Sequence, residues 1–393
     1  MRILIIYANA GGGHRSVALS VQEALSEYHP GVAVSIVDIM EEYAPFPMNR
    51  FPGLYPTLTR GNGGIWKLLY TLTDGKIQAG IVSESWSVVV NRRIRKAIEA
   101  YSPDVILSVY PLLNRNIGRF LRKLHRRPKF GIMVTDLGTA HYLWFSRHAD
   151  FYLMPSEMVL HRALTLGVPP YKMRVTGLPV NLAFSEPYDK RKVREELGLE
   201  PDLPVLLLVG GAEGMGPLKK IAGAINDSRP RAQMVVVTGR NEALKMEIER
   251  MHWRIPARIL GFTQEMHKWM KASDLLLSKA GPSTISEAFA VGLPILVTGF
   301  LPGQEEANVD FVVNSGAGML ETDPREIAAI VSRLTSGENH KLRKMAENAK
   351  RAGRPGASRE AADLLAKLAS RNARDVPVGR IFGKETADVA SFR

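Results

Sequence analysis

Two stretches of this chain repeat one theme, and the repetition limits the fold more than any other feature. Ile3-Leu-Ile-Ile-Tyr-Ala8 is a continuous apolar run of strand length, followed by Asn9-Ala-Gly-Gly-Gly-His14 and a helical pattern from Ser16 to Tyr28. Pro204-Val-Leu-Leu-Leu-Val209 is followed in the same way by Gly210-Gly-Ala-Glu-Gly-Met-Gly216 and a helix carrying Leu218, Ile221 and Ala222. Apolar runs without alternation belong to strands buried on both faces of a parallel sheet. Each half continues as alternating strands and helices, so the expected fold class is α/β with two Rossmann-like, doubly wound domains. A length of 393 residues accommodates both. The expected divisions are a first domain over 1–182, a charged, proline-bearing linker over 183–203, a second domain over 204–355, a helix over 356–373 and a flexible tail over 374–393.

The first glycine loop is neither a dinucleotide nor a P-loop fingerprint, since it is not Gly-x-Gly-x-x-Gly and no Gly-Lys-Ser/Thr occurs. Gly11, Gly12 and Gly13 still allow a ligand close to the backbone. His14 follows at the mouth of a helix, where the dipole favours the neutral imidazole that a general base needs; the plainer reading is a residue that fills the turn. The strand Lys129–Thr135 runs into Asp136 and His141, with Trp144 nearby, and ligands in such sheets bind at the carboxyl ends of strands. Asp136 has a cap as its alternative role. After the apolar run ending at Leu277, the chain turns at Gly281-Pro282 into a helix. The open N–H groups and the hydroxyls of Ser283 and Thr284 suit a phosphate, and Glu287 lies one turn on, within reach of sugar hydroxyls. An ordinary capped helix is the competing reading. Gln304, Glu305 and Asn308 are grouped as several hydroxyls of one sugar would require.

A net charge of +13 favours an anionic partner. Residues 115–129 hold seven Arg or Lys and no acid, and Arg115, Arg119, Arg122 and Arg126 recur at helical spacing. Residues 43–80 mix Pro and Gly with Tyr55, Trp66 and Tyr70 beside Arg60 and Lys67, the composition of a membrane interface or of short helices packed on a sheet. With no cysteine, thiol catalysis and Cys-ligated metals are excluded. No apolar run is long enough to span a bilayer, and the N-terminal one is too short for a signal peptide. A cytoplasmic or peripheral location is expected. The basic charge also raises a nucleic-acid-binding module, but no motif for one is present.

With these residues in place, the chain resembles the monogalactosyldiacylglycerol synthases and related diacylglycerol glucosyltransferases, relatives of the peptidoglycan lipid glycosyltransferase. The resemblance covers about residues 1 to 350. It rests on Gly11-Gly-Gly-His14, Thr135-Asp-Leu-Gly-Thr-Ala-His-Tyr-Leu-Trp144, Pro155-Ser-Glu157, Gly177-Leu-Pro179, Gly210–Gly216, Lys279-Ala-Gly-Pro-Ser-Thr284 and Pro302-Gly-Gln-Glu305 with Asn308. Ser283 departs from the pattern, which more often has glycine there. The resemblance implies a GT-B fold, two Rossmann-like domains facing a central cleft, and inverting transfer of a hexose, galactose or glucose, from UDP-hexose to the 3-hydroxyl of diacylglycerol. It places UDP-hexose in the second domain: uracil near Phe262, ribose at Glu287, pyrophosphate at Gly211, Glu213, Gly214, Ser283 and Thr284 with Lys279, and hexose at Gln304, Glu305 and Asn308. Diacylglycerol and the membrane fall to the first domain, with Gly12, Gly13, His141, Trp144, Tyr55 and Trp66. Arg119 and Arg122 would face anionic lipid. His14 is the expected base, with Asp136 orienting it or replacing it. No Asp-x-Asp motif occurs, so neither metal nor other cofactor is expected. The location implied is the cytoplasmic face of the cell membrane. The rival activities are transfer to a polyprenyl-linked peptidoglycan precursor and UDP-sugar epimerisation.

Overall fold

A computed structural model describes residues 1–9, 12–43, 64–125, 127–337, 339–370 and 376–382. Tyr55, Arg126 and most of the aromatic segment lie outside the described residues. The chain divides into two compact units: Met1–Leu182 with Pro302–Gln304 and Gly356–Arg393, and Ala183–Leu301 with Glu305–Pro355.

The first unit holds the sheet β2-β1-β3-β4-β5-β6 and the second the sheet β12-β11-β10-β7-β8-β9. These strands are β1 (Arg2–Tyr7), β2 (Ala33–Asp38), β3 (Val105–Ser108), β4 (Lys129–Met133), β5 (Phe151–Met154) and β6 (Met173–Val175). In the second unit they are β7 (Val205–Val209), β8 (Gln233–Val237), β9 (Ala257–Leu260), β10 (Leu275–Lys279), β11 (Ile295–Gly299) and β12 (Gly318–Leu320). All neighbours pair in parallel, as unalternating apolar runs require. Ile3 to Ile6 and Val205 to Leu208 are essentially inaccessible, each side chain contributing about 1.5–3 kcal/mol of burial. The expected α/β class therefore stands.

The strand orders explain why the repeated theme matters. β1 lies between β2 and β3, and β7 between β8 and β10. In each sheet the first strand is the one at which the chain's winding reverses, and a crevice opens beyond the carboxyl end of such a strand. Both glycine loops leave from that place.

Residues 183–203, expected as a linker, are instead built into the second unit. The helix Lys190–Glu196 buries Arg194, which donates to the carbonyls of Ala272 (2.9 Å) and Pro201 (2.7 Å) and pairs with Asp274 at 2.5 Å. The other oxygen of Asp274 takes Lys190 at 2.8 Å. The helix Ala357–Ala369 packs on the first unit's helix Gly13–Tyr28, held by His29–Asp363 (2.7 Å) and Arg174–Glu360 (3.0 Å). Part of the tail expected to be flexible is ordered. Residues Val378–Phe382 form a short helix whose Phe382 meets Phe151 edge-on, and Lys129 donates to the Val376 carbonyl.

Candidate active site

The carboxyl edge of the first sheet assembles around His14. Gly12 caps the helix Gly13–Tyr28 at φ 84°, a left-handed backbone that glycine takes without strain, and so His14 enters the first turn facing the sheet. The ring of Tyr110, just past β3, meets His14 edge-on at 5.4 Å, and Trp144 lies tilted against it at 5.9 Å. Thr135, at the exit of β4, brings its Oγ1 to 3.2 Å from His14 Nδ1. Burial pushes the imidazole down to about 4, outweighing a hydrogen bond to the Val109 backbone that pulls it up. His14 is therefore neutral at neutral pH, through burial rather than through the helix dipole.

Asp136 is buried, and its Oδ2 accepts from the Trp144 indole N–H at 2.7 Å. The carboxylate thus fixes the aromatic wall beside His14, while the hydroxyl at the ring nitrogen comes from Thr135. The motif at 135–144 contains Thr135, yet no general sequence rule marks a threonine as a histidine's partner.

His141 is turned away from solvent into a tether. Its Nδ1 accepts from Leu143 N–H (3.1 Å), which leaves Nε2 to carry the proton toward the Tyr70 carbonyl (3.2 Å), beside the Thr73 hydroxyl (3.1 Å). Burial lowers its pKa. Tyr70 and Thr73 belong to the helix Gly64–Thr73, so His141 holds that helix onto the loop after β4. Asp74 adds to the hold by accepting from Tyr142 N–H (2.7 Å) and Arg162 (3.3 Å).

Of the aromatic residues expected at a membrane face, this helix carries Trp66 and Tyr70. Trp66 and Tyr70 are partly buried, and the exposed groups are aliphatic: Leu68 (60%), Leu69 (45%) and Leu72 (59%), with Ile77 (75%) and Ile81 (66%) on the next helix, Lys76–Tyr101. The basic face is also less free than its spacing implies. Arg119 pairs with Glu84, and the helix ends at Leu121, before Arg122. Arg115, Arg119, Arg122 and Arg147 still crowd His148, whose pKa falls through burial and then their charge.

The carboxyl edge of the second sheet is lined by glycine turns and an uncapped helix start. Two loops interlock there through glycine. A Cβ on Gly214 (φ 62°) would lie 2.2 Å from the Thr238 carbonyl oxygen, and one on Gly239 (φ 59°) 2.3 Å from that of Ala212. Arg240 pairs with Glu213 at 2.6 Å and stacks over the Phe262 ring at 4.9 Å. Phe262 is 55% exposed, so it offers a flat apolar face at the end of β9. Arg240 went unrecognised in the sequence because its partners come from two other loops.

β10 ends at Lys279, and Gly281 precedes the helix Pro282–Ala290 with Pro282 at its start and no side-chain cap. Among the described residues no side chain caps this first turn, so its N–H groups, with the Ser283 and Thr284 hydroxyls, suit an acceptor. Glu287 sits one turn in. It makes no hydrogen bond or ion pair among the described residues, and burial alone raises its pKa to about 7.

The expected hexose group is split. Glu305 is buried and both its oxygens are engaged, one by Lys279 (2.5 Å) and the other by Leu301 N–H (2.8 Å). Asn308 is fully buried and donates to the Ala280 carbonyl at 3.0 Å. Both brace the loops around Lys279, while Gln304 stays partly accessible. No described helix is long and apolar enough to cross a membrane.

A family model described as monogalactosyldiacylglycerol (MGDG) synthase matches residues 14–180, and the glycosyltransferase family 28 C-terminal domain matches 205–367. Monogalactosyldiacylglycerol synthase 3, chloroplastic, of Arabidopsis thaliana is 36% identical over 367 residues, covering 90% of this chain and 78% of the relative. The chloroplastic monogalactosyldiacylglycerol synthase of Spinacia oleracea is 35% identical, covering 91% and 70%. Among solved structures, Acinetobacter baumannii MurG aligns with a TM-score of 0.61 at 18% identity, covering 93% of this chain and 99% of that one, a likeness of fold. The expected placement at the cytoplasmic face of the cell membrane is overturned by the two relatives, both chloroplastic.

Proposed function

The chain belongs to the monogalactosyldiacylglycerol synthase family, and on that premise we propose how its residues divide the reaction. The enzyme transfers galactose to diacylglycerol. The donor is UDP-galactose and the displacement inverts the anomeric centre. The acceptor's 3-hydroxyl oxygen forms the new bond to the anomeric carbon as the bond to the UDP oxygen breaks, its electron pair leaving with UDP. The hydroxyl proton passes to His14 and then to solvent. What carries this reading is His14 itself: neutral, walled by Tyr110 and Trp144, and held by Thr135.

On the donor side Glu287 accepts from ribose hydroxyls, and Phe262 with Arg240 lines the uracil. The first-turn N–H groups at Ser283 and Thr284, the Gly211–Gly214 loop and Lys279 meet the growing charge on the diphosphate. Glu305 acts by holding Lys279 in place, and Gln304 is left to read the hexose. This arrangement asks for no metal, so EDTA is expected to leave turnover unchanged. The exposed leucines and isoleucines of 68–81 enter the lipid surface, where the arginines around His148 add about 1 kcal/mol each if anionic lipid is present.

A product assay tests the activity. Protein is mixed with diacylglycerol vesicles and UDP-galactose or UDP-glucose, and the lipids are analysed by mass spectrometry. Galactosyl-diacylglycerol in the first tube is expected; the absence of any hexosyl lipid in both would overturn the reading.

A further inference from the structure

The helix Gly64–Thr73 has two faces of opposite chemistry. Leu68, Leu69 and Leu72 stand outward in solvent. Trp66, Tyr70 and Thr73, at i, i+4 and i+7, lie on the other side. That inner side is held firmly. His141 Nε2 meets the Tyr70 carbonyl and the Thr73 hydroxyl, and the Tyr70 ring lies edge-on to the His141 ring at 4.8 Å. The Tyr70 hydroxyl, in contrast, is buried and has no hydrogen-bond partner among the described residues. A buried hydroxyl left so costs about 1–3 kcal/mol, and native proteins rarely keep one without a use.

The surroundings narrow the use. Burial first, then the charges of Asp136 and Asp74, hold the phenol protonated, so at neutral pH it is available as a donor. The same carboxylates repel an anion, which disfavours a lipid phosphate in this place. Asp136 is also the residue that fixes Trp144 against His14. A neutral acceptor headgroup brought here has one hydroxyl, which must go to the base, and two ester carbonyls.

We propose that the Tyr70 hydroxyl is an acceptor-binding group that donates a hydrogen bond to an ester carbonyl of diacylglycerol, seating its glycerol headgroup beside Asp136 and His14. This rests on the activity proposed above. The helix then joins two tasks: its outer leucines meet the lipid surface, and its inner tyrosine takes the headgroup from that surface.

The test compares wild type with Tyr70→Phe on two acceptors: diacylglycerol, and a dialkylglycerol of equal chain length whose ether links lack carbonyls. Tyr70→Phe is expected to raise KM for diacylglycerol about 3–10-fold, leaving KM for dialkylglycerol and for UDP-galactose unchanged. Its Tm is expected to hold or rise, because phenylalanine removes an unpaired buried hydroxyl. An unchanged KM for diacylglycerol would overturn the inference, and so would an equal rise with both acceptors or a lowered Tm. A wild type that yields no hexosyl lipid from either acceptor would instead refute the activity, and this inference with it.

Discussion

The two units share a six-stranded parallel sheet and a glycine loop at the same kind of position, yet they equip that position differently. In the first, the loop ends in one histidine set against aromatic rings, and exposed leucines and isoleucines lie on the helices Gly64–Thr73 and Lys76–Tyr101. In the second, the loop interlocks with its neighbour through Gly214 and Gly239, the helix Pro282–Ala290 starts without a side-chain cap, and Glu287 has no hydrogen bond or ion pair among the described residues. One architecture thus sets a histidine among aromatic rings in one unit and an uncapped helix start beside glycine turns in the other. The difference lies in a few residues at the strand ends and in the loops that follow them.

That contrast can be broken by variants that act on one unit only. The largest effect is expected for His14→Ala: turnover about 10²–10⁴-fold lower, with UDP affinity by calorimetry unchanged. A large loss of UDP binding would show that the division of labour is wrong. Glu287→Ala is expected to weaken UDP about 10–100-fold, the range for a hydrogen bond to a charged group, with vesicle binding unaffected. Leu68→Asp with Leu72→Asp should lower binding to diacylglycerol vesicles about 10-fold in a flotation assay, while UDP affinity holds. Thr135→Val should cost only about 2–10-fold in kcat, since the His14 ring keeps its aromatic walls.

pH sharpens the same comparison, because His14 and Glu287 shift in opposite senses. His14 has a folded pKa of about 4, below its unfolded value, so its contribution to stability is whole above the unfolded pKa and is lost as pH falls through about 4. Glu287 is raised to about 7, above its unfolded value, so its contribution is whole below the unfolded pKa and is lost as pH rises through about 7. Denaturant melts across pH should show His14→Gln removing a loss of stability as pH falls from about 6.5 to 4, and Glu287→Gln removing a loss of stability as pH rises from about 4.5 to 7. In kinetics, the acid limb due to His14 should fall near pH 4 in the free enzyme, below the ordinary imidazole range.

Much of this was legible in the chain itself. Uninterrupted apolar runs mark buried parallel strands because both faces must be covered, and glycines after them mark turns that other residues cannot make. From these alone come the two α/β halves, the position of His14 at a helix mouth and the open helix start at Ser283 and Thr284. The tertiary structure decided what depends on partners distant in sequence. It tied Glu305 to Lys279 and Asn308 to Ala280, turning expected sugar ligands into braces. It paired Arg194 with Asp274, so an apparent linker became part of a fold. It packed the helix Ala357–Ala369 on the first unit, and it set leucines rather than aromatic rings on the outer face of Gly64–Thr73. Local pattern dictates which element forms, since that is settled by period and backbone preference. Which side chains pair, and which are left for a ligand, is settled only when charges, hydroxyls and hydrophobic faces from separate segments compete for the same buried space.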